Sequence, residues 1–329
     1  MSRKYVATAL TLLGLVGSAL AAPTDSVDIP FTRFTLPNGL TVVVHEDRKA
    51  PVVAVSIWYH VGSADEPAGK TGFAHLFEHL MFSGSENRRG TYFGPFEKVG
   101  ATDMHGTTWF DRTNYFQTVP TPALDMALWM ESDRMGHLLG AIGQVELDTQ
   151  RGVVQNEKRQ GENRPYGRTD ENILLNTFPS NHPYQHDTIG SMADLDAASL
   201  DDVKRWFHDY YGAANTTIVL AGDISADVAR EKVQKYFGHI EAGPPVPRQQ
   251  PWVAARTTST RGTQIDNVAQ VRILRAWNVA ELGNSDQPLL ELAADALGGG
   301  KTSRLYQRLV YKDKLVDDVS VGMQPFTVA

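Results

Sequence analysis

The segment HLFEH at residues 75–79 constrains the fold more than any other part of this chain. Apolar residues surround its polar side chains, which predicts a buried helix over residues 72–82. With about 3.6 residues per turn, His75 and His79 lie one turn apart on one helix face, the spacing that two ligands of a single metal ion need. Glu78 stands beside them, where its carboxylate can take a proton from water. This H-x-x-E-H order reverses the H-E-x-x-H order of many zinc sites.

The composition leaves only histidine, aspartate and glutamate as metal ligands. The 329 residues include no cysteine, which excludes a thiolate zinc site and a disulfide framework. The length allows one large domain or two of ordinary size. A net charge of −7 argues against a surface that binds phosphates, so no nucleic-acid partner is expected.

The N-terminus has the three regions of a secretory signal peptide. Arg3 and Lys4 precede a short apolar run over residues 6–16, and the tripeptide Ala-Leu-Ala at 19–21 fits a small-x-small cleavage site. We therefore predict a signal peptide over residues 1–21 and an exported protein, periplasmic or secreted. The alternative is a membrane anchor, but the apolar run is short for a bilayer span, so no stable membrane insertion is expected.

Strands and helices in blocks, without strict alternation, predict an α+β fold in which helices cover an antiparallel-rich β-sheet. The clearest local signal is a hairpin, because β-forming residues flank the turn at Asn38-Gly39. The predicted strands are 33–36, 40–44, 52–61, 101–109, 113–119 and 216–221. The predicted helices are 72–82, 91–99, 120–139, 145–160, 199–210 and 226–237.

A proline-rich segment at residues 241–251 is the best domain boundary. It separates a predicted N-terminal metal-bearing domain, residues 22–240, from residues 252–329. In the second part we predict a strand at 269–277 and helices at 287–297 and 303–310. Because this part is much shorter than the first, we expect an incomplete second domain and a truncated chain.

Two glutamates on later helices are candidates to complete a metal site. Glu157 follows Val153 and Val154 at helical spacing, which predicts that its carboxylate shares their apolar side. A charged carboxylate facing a core needs a partner or a metal ion, so Glu157 is the candidate third ligand. The alternative is a surface glutamate. Glu131 also falls on an apolar face. It either orients a ligand histidine from outside the metal site or pairs with Arg134 or another cation.

Three segments together resemble the inverzincin peptidases, the family of pitrilysin, insulin-degrading enzyme and the processing subunit of mitochondrial processing peptidase. They are GFAHLFEHLMF at 72–82, DRTNYF at 111–116 and VVQNE at 153–157. Relatives take their third zinc ligand from a glutamate seventy-odd residues after the second histidine, where Glu157 stands. The resemblance implies one Zn²⁺ per chain, bound by His75, His79 and Glu157, and Glu78 as the general base. It also implies repeated metallopeptidase-type domains.

The resemblance also implies a place for peptide substrates. Family members bind substrate as an added strand on a sheet edge, and residues 100–108 resemble that edge strand. We therefore predict substrate contacts at His105, Gly106 and Thr107. Many relatives have asparagine where this chain has His105. The alternative to a substrate contact is that His105 acts as a fourth metal ligand.

Two further departures from the family pattern concern supporting residues. Gln150 and Gly152 stand where relatives often have an acid before the ligand glutamate, and Glu146 is an alternative for that role. We therefore predict that Gln150 supports the metal ligands from a position just outside them. Relatives complete the site with an arginine and a tyrosine from a C-terminal half, so we expect that half, or a partner subunit, to be a partner.

The leading prediction is an exported zinc-dependent endopeptidase that hydrolyses peptides or unfolded polypeptide segments. The alternative is a non-catalytic subunit of the same fold that helps to enclose substrate. A nucleotide-dependent enzyme is a weak third hypothesis. It depends on the sequence GGGKT at 298–302, which lacks the strand-loop-helix context of a phosphate-binding loop.

Overall fold

One six-stranded sheet with helices against it organises the protein. The computed structural model describes residues 28–329, so the predicted signal peptide 1–21 lies outside the described residues. The strands are β1 Thr32–Thr35, β2 Thr41–Glu46, β3 Val52–Tyr59, β4 Thr102–Thr108, β5 Thr113–Pro120 and β6 Thr216–Gly222. The helices are α1 Phe73–Leu80, α2 Phe93–Lys98, α3 Leu124–His137, α4 Gln144–Glu162, α5 Thr169–Thr177, α6 Met192–Asp196, α7 Leu200–Tyr210, α8 Ala226–Phe237 and α9 Gln287–Gly298.

The sheet has the strand order β1-β2-β6-β3-β5-β4. Only β2 and β6 pair in parallel, and the other four pairings are antiparallel. The predicted α+β class with an antiparallel-rich sheet is confirmed. The predicted hairpin is β1-β2, in which Gly39 has the positive φ of 87° that such a turn favours. Among residues 28–329 no helix is both long and apolar enough to cross a bilayer.

The main core lies on one face of the sheet. Alternate residues of β3 (Val53, Val55, Ile57 and Tyr59) are fully buried, while the residues between them are half-buried or exposed. This period of two is what a strand with one covered face requires. Helices α3 and α8 pack against each other on the sheet, and α1 packs beside β4. The metal-candidate helix is therefore fixed against the β4 end of the sheet.

Strand β4 is an edge strand, as the sequence predicted, and it pairs only with β5. Its ladder is regular from His105 to Thr108 and is interrupted by a bulge before His105, where Asp103 has a φ of 57°. The Trp109 N–H donates to the Arg112 carbonyl at 2.8 Å, which places a hydrogen-bonded pair just beyond the ladder. In an antiparallel ladder, residue pairs that exchange main-chain hydrogen bonds alternate with pairs that do not. Counting back from Trp109, the N–H and carbonyl groups of Thr108 and Gly106 therefore point away from β5, to the open edge of the sheet.

The predicted strand at 269–277 is wrong. These residues have no regular structure, and Val271 and Ile273 are 92% and 82% exposed. A strand needs a neighbour for its main-chain hydrogen bonds, and no described strand pairs with this segment. Helix α9 follows the prediction for 287–297. The predicted helix at 303–310 is helical at residues 304–305 and continues as a π-helix over Tyr306–Lys312.

Helix α1 begins at a close backbone crossing. Gly72, its N-cap, has a φ of 87°, and a Cβ there would stand 2.3 Å from the Ile189 carbonyl oxygen. Gly190 lies opposite, where a Cβ would stand 2.1 Å from the Gly72 nitrogen. Only a pair of glycines allows the loop before α6 to approach the start of α1 so closely.

Gly72→Ala tests this crossing against a matched control. Gly69 also has a positive φ, 77°, but nothing lies within 4 Å of a Cβ there. Gly69→Ala should cost roughly 1–2 kcal/mol in the free energy of unfolding, from the left-handed backbone alone. Gly72→Ala should lower the free energy of unfolding by roughly 1–3 kcal/mol more than Gly69→Ala does, because backbone atoms must move apart. Urea unfolding of both variants measures the difference, and equal losses would contradict the crossing.

Candidate metal centre

Helices α1 and α4 bring the three predicted ligands together. The Oε2 atom of Glu157 lies 3.5 Å from the Nε2 atom of His79 and 3.8 Å from that of His75. One ligand atom from each residue falls within 4.8 Å of the others. His75 and His79 lie one turn apart on α1, and Glu157 reaches them from α4. The cluster does not include His105, so the alternative of His105 as a fourth ligand gains no support.

The chemistry of these groups fits a zinc ion. Zinc-bound nitrogen and oxygen atoms stand about 3.3 Å apart in a tetrahedral site. The Oε2 atom of Glu157 lies at similar distances, 3.5 and 3.8 Å, from the two histidine nitrogens. Burial, and then the neighbouring His79, lower the pKa of His75 to about 4, which keeps its imidazole neutral near pH 7. The neutral ring is the form that binds metal. The Nδ1 atom of His75 is buried and has no hydrogen-bond partner within the described chain.

Glu157 is not buried, so that part of the prediction is wrong. Its side chain is 51% exposed, and Val153, one turn earlier, is also exposed. The buried side of α4 carries Leu147, Val154 and Lys158, and Glu157 lies at its border. The glutamate therefore faces the two histidines from a solvent-accessible side, which leaves the cluster open to small molecules.

Lys158 links α4 to the segments around it. Its ammonium group lies 3.3 Å from Glu162, 3.7 Å from Glu171 on α5 and 3.6 Å from Asp187, while its side chain is only 7% exposed. Asp187 in turn accepts a hydrogen bond from the N–H of Gly190, at the crossing with α1. A buried cation among three carboxylates thus connects the helix of Glu157 to the start of the helix that carries both histidines.

Glu66 holds the start of α1 from outside the helix. Its carboxylate accepts hydrogen bonds from the N–H groups of Gly72 at 3.0 Å and Ala74 at 2.7 Å. These N–H groups have no partner within the helix, and the helix dipole favours a negative charge there. Burial raises the pKa of Glu66 well above its usual value. No local sequence signal identified this residue, because it stands six positions before the N-cap.

Glu78 lies beside the ligand cluster and contacts the edge strand. It is 7% exposed, and its Oε2 atom accepts a hydrogen bond of 2.6 Å from the Thr108 hydroxyl. Burial raises the pKa of Glu78, and the Thr108 hydrogen bond opposes that shift. Thr108 was not among the predicted site residues, although it ends the predicted edge strand. The alternation along β4 could have found it, because Thr108 shares a face with Gly106.

The three predicted substrate residues lie in the regular part of β4 but do not share a face. A Cβ on Gly106 would stand 2.9 Å from the Phe82 ring, so this residue faces the segment that follows α1. His105 and Thr107 face the other side, where the His105 ring stacks on Phe116 and the Thr107 hydroxyl bonds Asn114 at 2.5 Å. Arg112, which the sequence did not single out, donates to the Thr107 carbonyl at 3.1 Å.

The role predicted first for Glu131, orienting a ligand histidine, is wrong. Its carboxylate accepts hydrogen bonds from Arg134 at 2.6 and 2.9 Å, from Tyr92 at 2.7 Å and from Gln117 at 2.9 Å. The alternative, an ion pair with Arg134, is what the structure shows. Both side chains are buried, and the guanidinium lies 3.9 Å from the Tyr92 ring and 4.3 Å from the Tyr115 ring. The pair belongs to the core.

Gln150 lies half-buried on α4, two turns before Glu157. Within the described part of the chain its side chain makes no hydrogen bond to the ligand cluster, so its predicted supporting role remains a prediction. Glu146, the alternative for that role, instead accepts a hydrogen bond of 2.9 Å from the N–H of Gly143 and caps α4.

Comparison with known proteins gives the family of this chain. The family model "Insulinase (Peptidase family M16)" matches residues 41–190, and "Peptidase M16 inactive domain" matches residues 197–327. The chain belongs to peptidase family M16. It is similar to "Zinc protease PqqE" of Helicobacter pylori, with 32% identity over 85% of this chain. It is also similar to a probable beta subunit of mitochondrial-processing peptidase from Arabidopsis thaliana, with 24% identity over 85% of this chain.

Solved structures of two bacterial proteases have the same fold. A protease from Helicobacter pylori superposes with a TM-score of 0.73 and 25% identity, covering 91% of this chain and 72% of the other. The first half of the periplasmic protease PqqL from Escherichia coli gives a TM-score of 0.61 at 22% identity, covering 67% and 48%. The present chain spans 64% of the length of the Helicobacter pylori zinc protease and 52% of the Arabidopsis thaliana subunit.

Metal titration tests the ligand cluster. We expect the wild-type protein to bind one Zn²⁺ per chain and Glu157→Gln to weaken zinc binding by at least about 100-fold, since loss of even an outer partner costs 10- to 100-fold. Competition with a chromophoric chelator measures both affinities. The matched control is Glu231→Gln, the same change at an exposed position on α8. Equal affinities for wild type and Glu157→Gln would exclude Glu157 as a ligand.

The buried pair of Glu131 and Arg134 predicts a large and specific loss of stability. Arg134→Met leaves a buried carboxylate without its cation and should cost about 3–5 kcal/mol in the free energy of unfolding. The double variant Glu131→Gln/Arg134→Met should recover part of this loss, because no uncompensated charge remains. Urea unfolding measures both. A double variant less stable than Arg134→Met alone would show that charge pairing is not the cause.

Proposed function

We propose that this chain is an exported zinc-dependent endopeptidase that hydrolyses peptides or unfolded polypeptide segments. The observation that carries the proposal is the convergence of His75, His79 and Glu157, with the carboxylate of Glu78 next to them. The names of its relatives as zinc proteases support the metal and the reaction class.

Each residue has a role in peptide hydrolysis. Bound by His75, His79 and Glu157, zinc would act as a Lewis acid that polarises the scissile carbonyl and makes water more acidic. Glu78 then removes the proton from the attacking water and returns it to the nitrogen of the leaving amine. Burial raises the pKa of Glu78, which makes its carboxylate a stronger base towards the attacking water.

Strand β4 supplies a place for an extended peptide. Its open edge presents main-chain donors and acceptors, and a peptide that pairs with them becomes a seventh strand. Gly106 lets this strand lie close to Phe82, since any side chain would meet the ring. Recognition through the backbone favours substrates that can become extended, which unfolded segments and short peptides do.

Two parts of the proposal concern the whole protein. The Escherichia coli neighbour is named a periplasmic protease, which supports export of this chain to the periplasm or beyond. A relative is named a subunit, which supports completion of the site by a C-terminal half of the same protein or by a partner subunit.

The second candidate function, a non-catalytic subunit, is favoured by the match of residues 197–327 to an inactive domain. The intact HLFEH motif and Glu157 favour catalysis.

Glu78→Gln tests the proposed mechanism. The amide cannot accept the proton, so kcat for a fluorogenic peptide should fall by about 10²- to 10⁴-fold, while zinc affinity stays unchanged. Wild-type cleavage should stop with a chelator and return with added Zn²⁺. Glu231→Gln, on α8, is the control. The assay uses the full-length protein with any partner subunit present. If Glu78→Gln then cleaves as fast as wild type, Glu78 is not the base. If wild type binds zinc but cleaves nothing, the non-catalytic subunit is the better function.

A further inference from the structure

The last residue of β4, Thr108, stands at a fixed point of the structure. The two residues that follow it are held by the turn before α1: Ser63 N–H donates to the Trp109 carbonyl at 3.1 Å, and Ala64 N–H donates to that of Phe110 at 2.9 Å. Across the ladder, its partner Thr113 is fully buried and donates through its hydroxyl to Val61 at 3.0 Å. The backbone of Thr108 therefore has little freedom to move relative to the sheet.

The side chain of Thr108 extends this rigidity to Glu78. A β-branched residue in a strand has few accessible rotamers, so its hydroxyl has a defined direction. That hydroxyl donates to the Oε2 atom of Glu78 at 2.6 Å. In the described part of the chain this is the only hydrogen bond of the Glu78 side chain. It fixes one carboxylate oxygen and leaves Oε1 to accept a proton.

The backbone of Thr108 belongs to the open edge of the sheet. The alternation of hydrogen-bonded pairs along β4 turns the N–H and carbonyl groups of Gly106 and Thr108 away from β5. A peptide added to this edge would bond the main chain of Thr108 while the side chain of the same residue holds Glu78. Thr107, which the sequence predicted as a substrate contact, turns its main chain towards β5 instead.

We propose that Thr108 is a positioning residue that holds the carboxylate of Glu78 in register with a peptide bound along β4. The proposal rests on the peptidase function proposed above and assigns a role to a residue outside the H-x-x-E-H motif. A single residue then sets the distance between the bound backbone and the base. Its hydroxyl acts on the step in which the proton moves and contributes little to peptide affinity.

The test compares Thr108→Val with Thr108→Ser in the full-length protein, using the same fluorogenic peptide. Valine keeps the shape and strand preference but cannot donate. We expect kcat to fall on the order of 10- to 100-fold, the effect of losing a hydrogen bond to a charged group, with KM and zinc affinity unchanged. Serine retains the donor and should stay within about threefold of wild type. Thr118→Val, on the neighbouring strand β5, is the matched control and should not alter kcat.

Each outcome decides the proposal. A fall in kcat for valine, with rescue by serine and constant KM, supports it, because a purely structural role would not separate these variants. Thr108→Val with the kcat of wild type overturns the proposal while leaving the peptidase function intact. Serine as slow as valine also overturns it, since the methyl group would then matter. Absence of chelator-sensitive cleavage by wild type is a different result and overturns both the function and this role.

Discussion

The docking of α1 against α4 is the interaction on which the rest of the site depends. The candidate ligands are divided between these helices, with His75 and His79 on one and Glu157 on the other. Because Glu157 is half-exposed, packing does not fix its side chain, and its position follows from its helix. That helix is held by the ion pairs of Lys158, while the Gly72–Gly190 crossing fixes α1. A charged cluster and a glycine pair thus replace the tight packing that a buried ligand would have.

Local patterns predicted most of the sheet and its helices, because those elements depend on residues near in sequence. The Asn38-Gly39 turn, the alternation in β3 and the apolar residues around the HLFEH motif each act within one element. Residues 269–277 begin with a similar alternation, Val271-Arg272-Ile273, and yet form no strand. The β-propensity of a segment describes how well its residues suit a sheet. A strand also needs a neighbouring strand to pair with, and the sequence of the segment alone does not show whether one is present.

The two later glutamates show a related limit. Helical spacing placed both on apolar faces, but Glu131 is fully buried and Glu157 is not. Spacing gives the direction of a side chain, whereas depth and partners depend on elements far away in sequence. Arg134 was visible as a neighbour of Glu131, while Tyr92 and Gln117 were not. Likewise, the contact of Thr108 with Glu78 joins residues that only the folded sheet brings together.

The bulge at Asp103 has a consequence for the solution behaviour of the protein. An open, flat sheet edge is a template on which copies of the same protein can stack and aggregate. Here the regular edge is limited to His105–Thr108, and it ends at an exposed, charged residue with a left-handed backbone. A long strand from another folded copy finds too few partners in register. This edge can therefore remain open to a flexible chain while offering little to a strand of another folded copy.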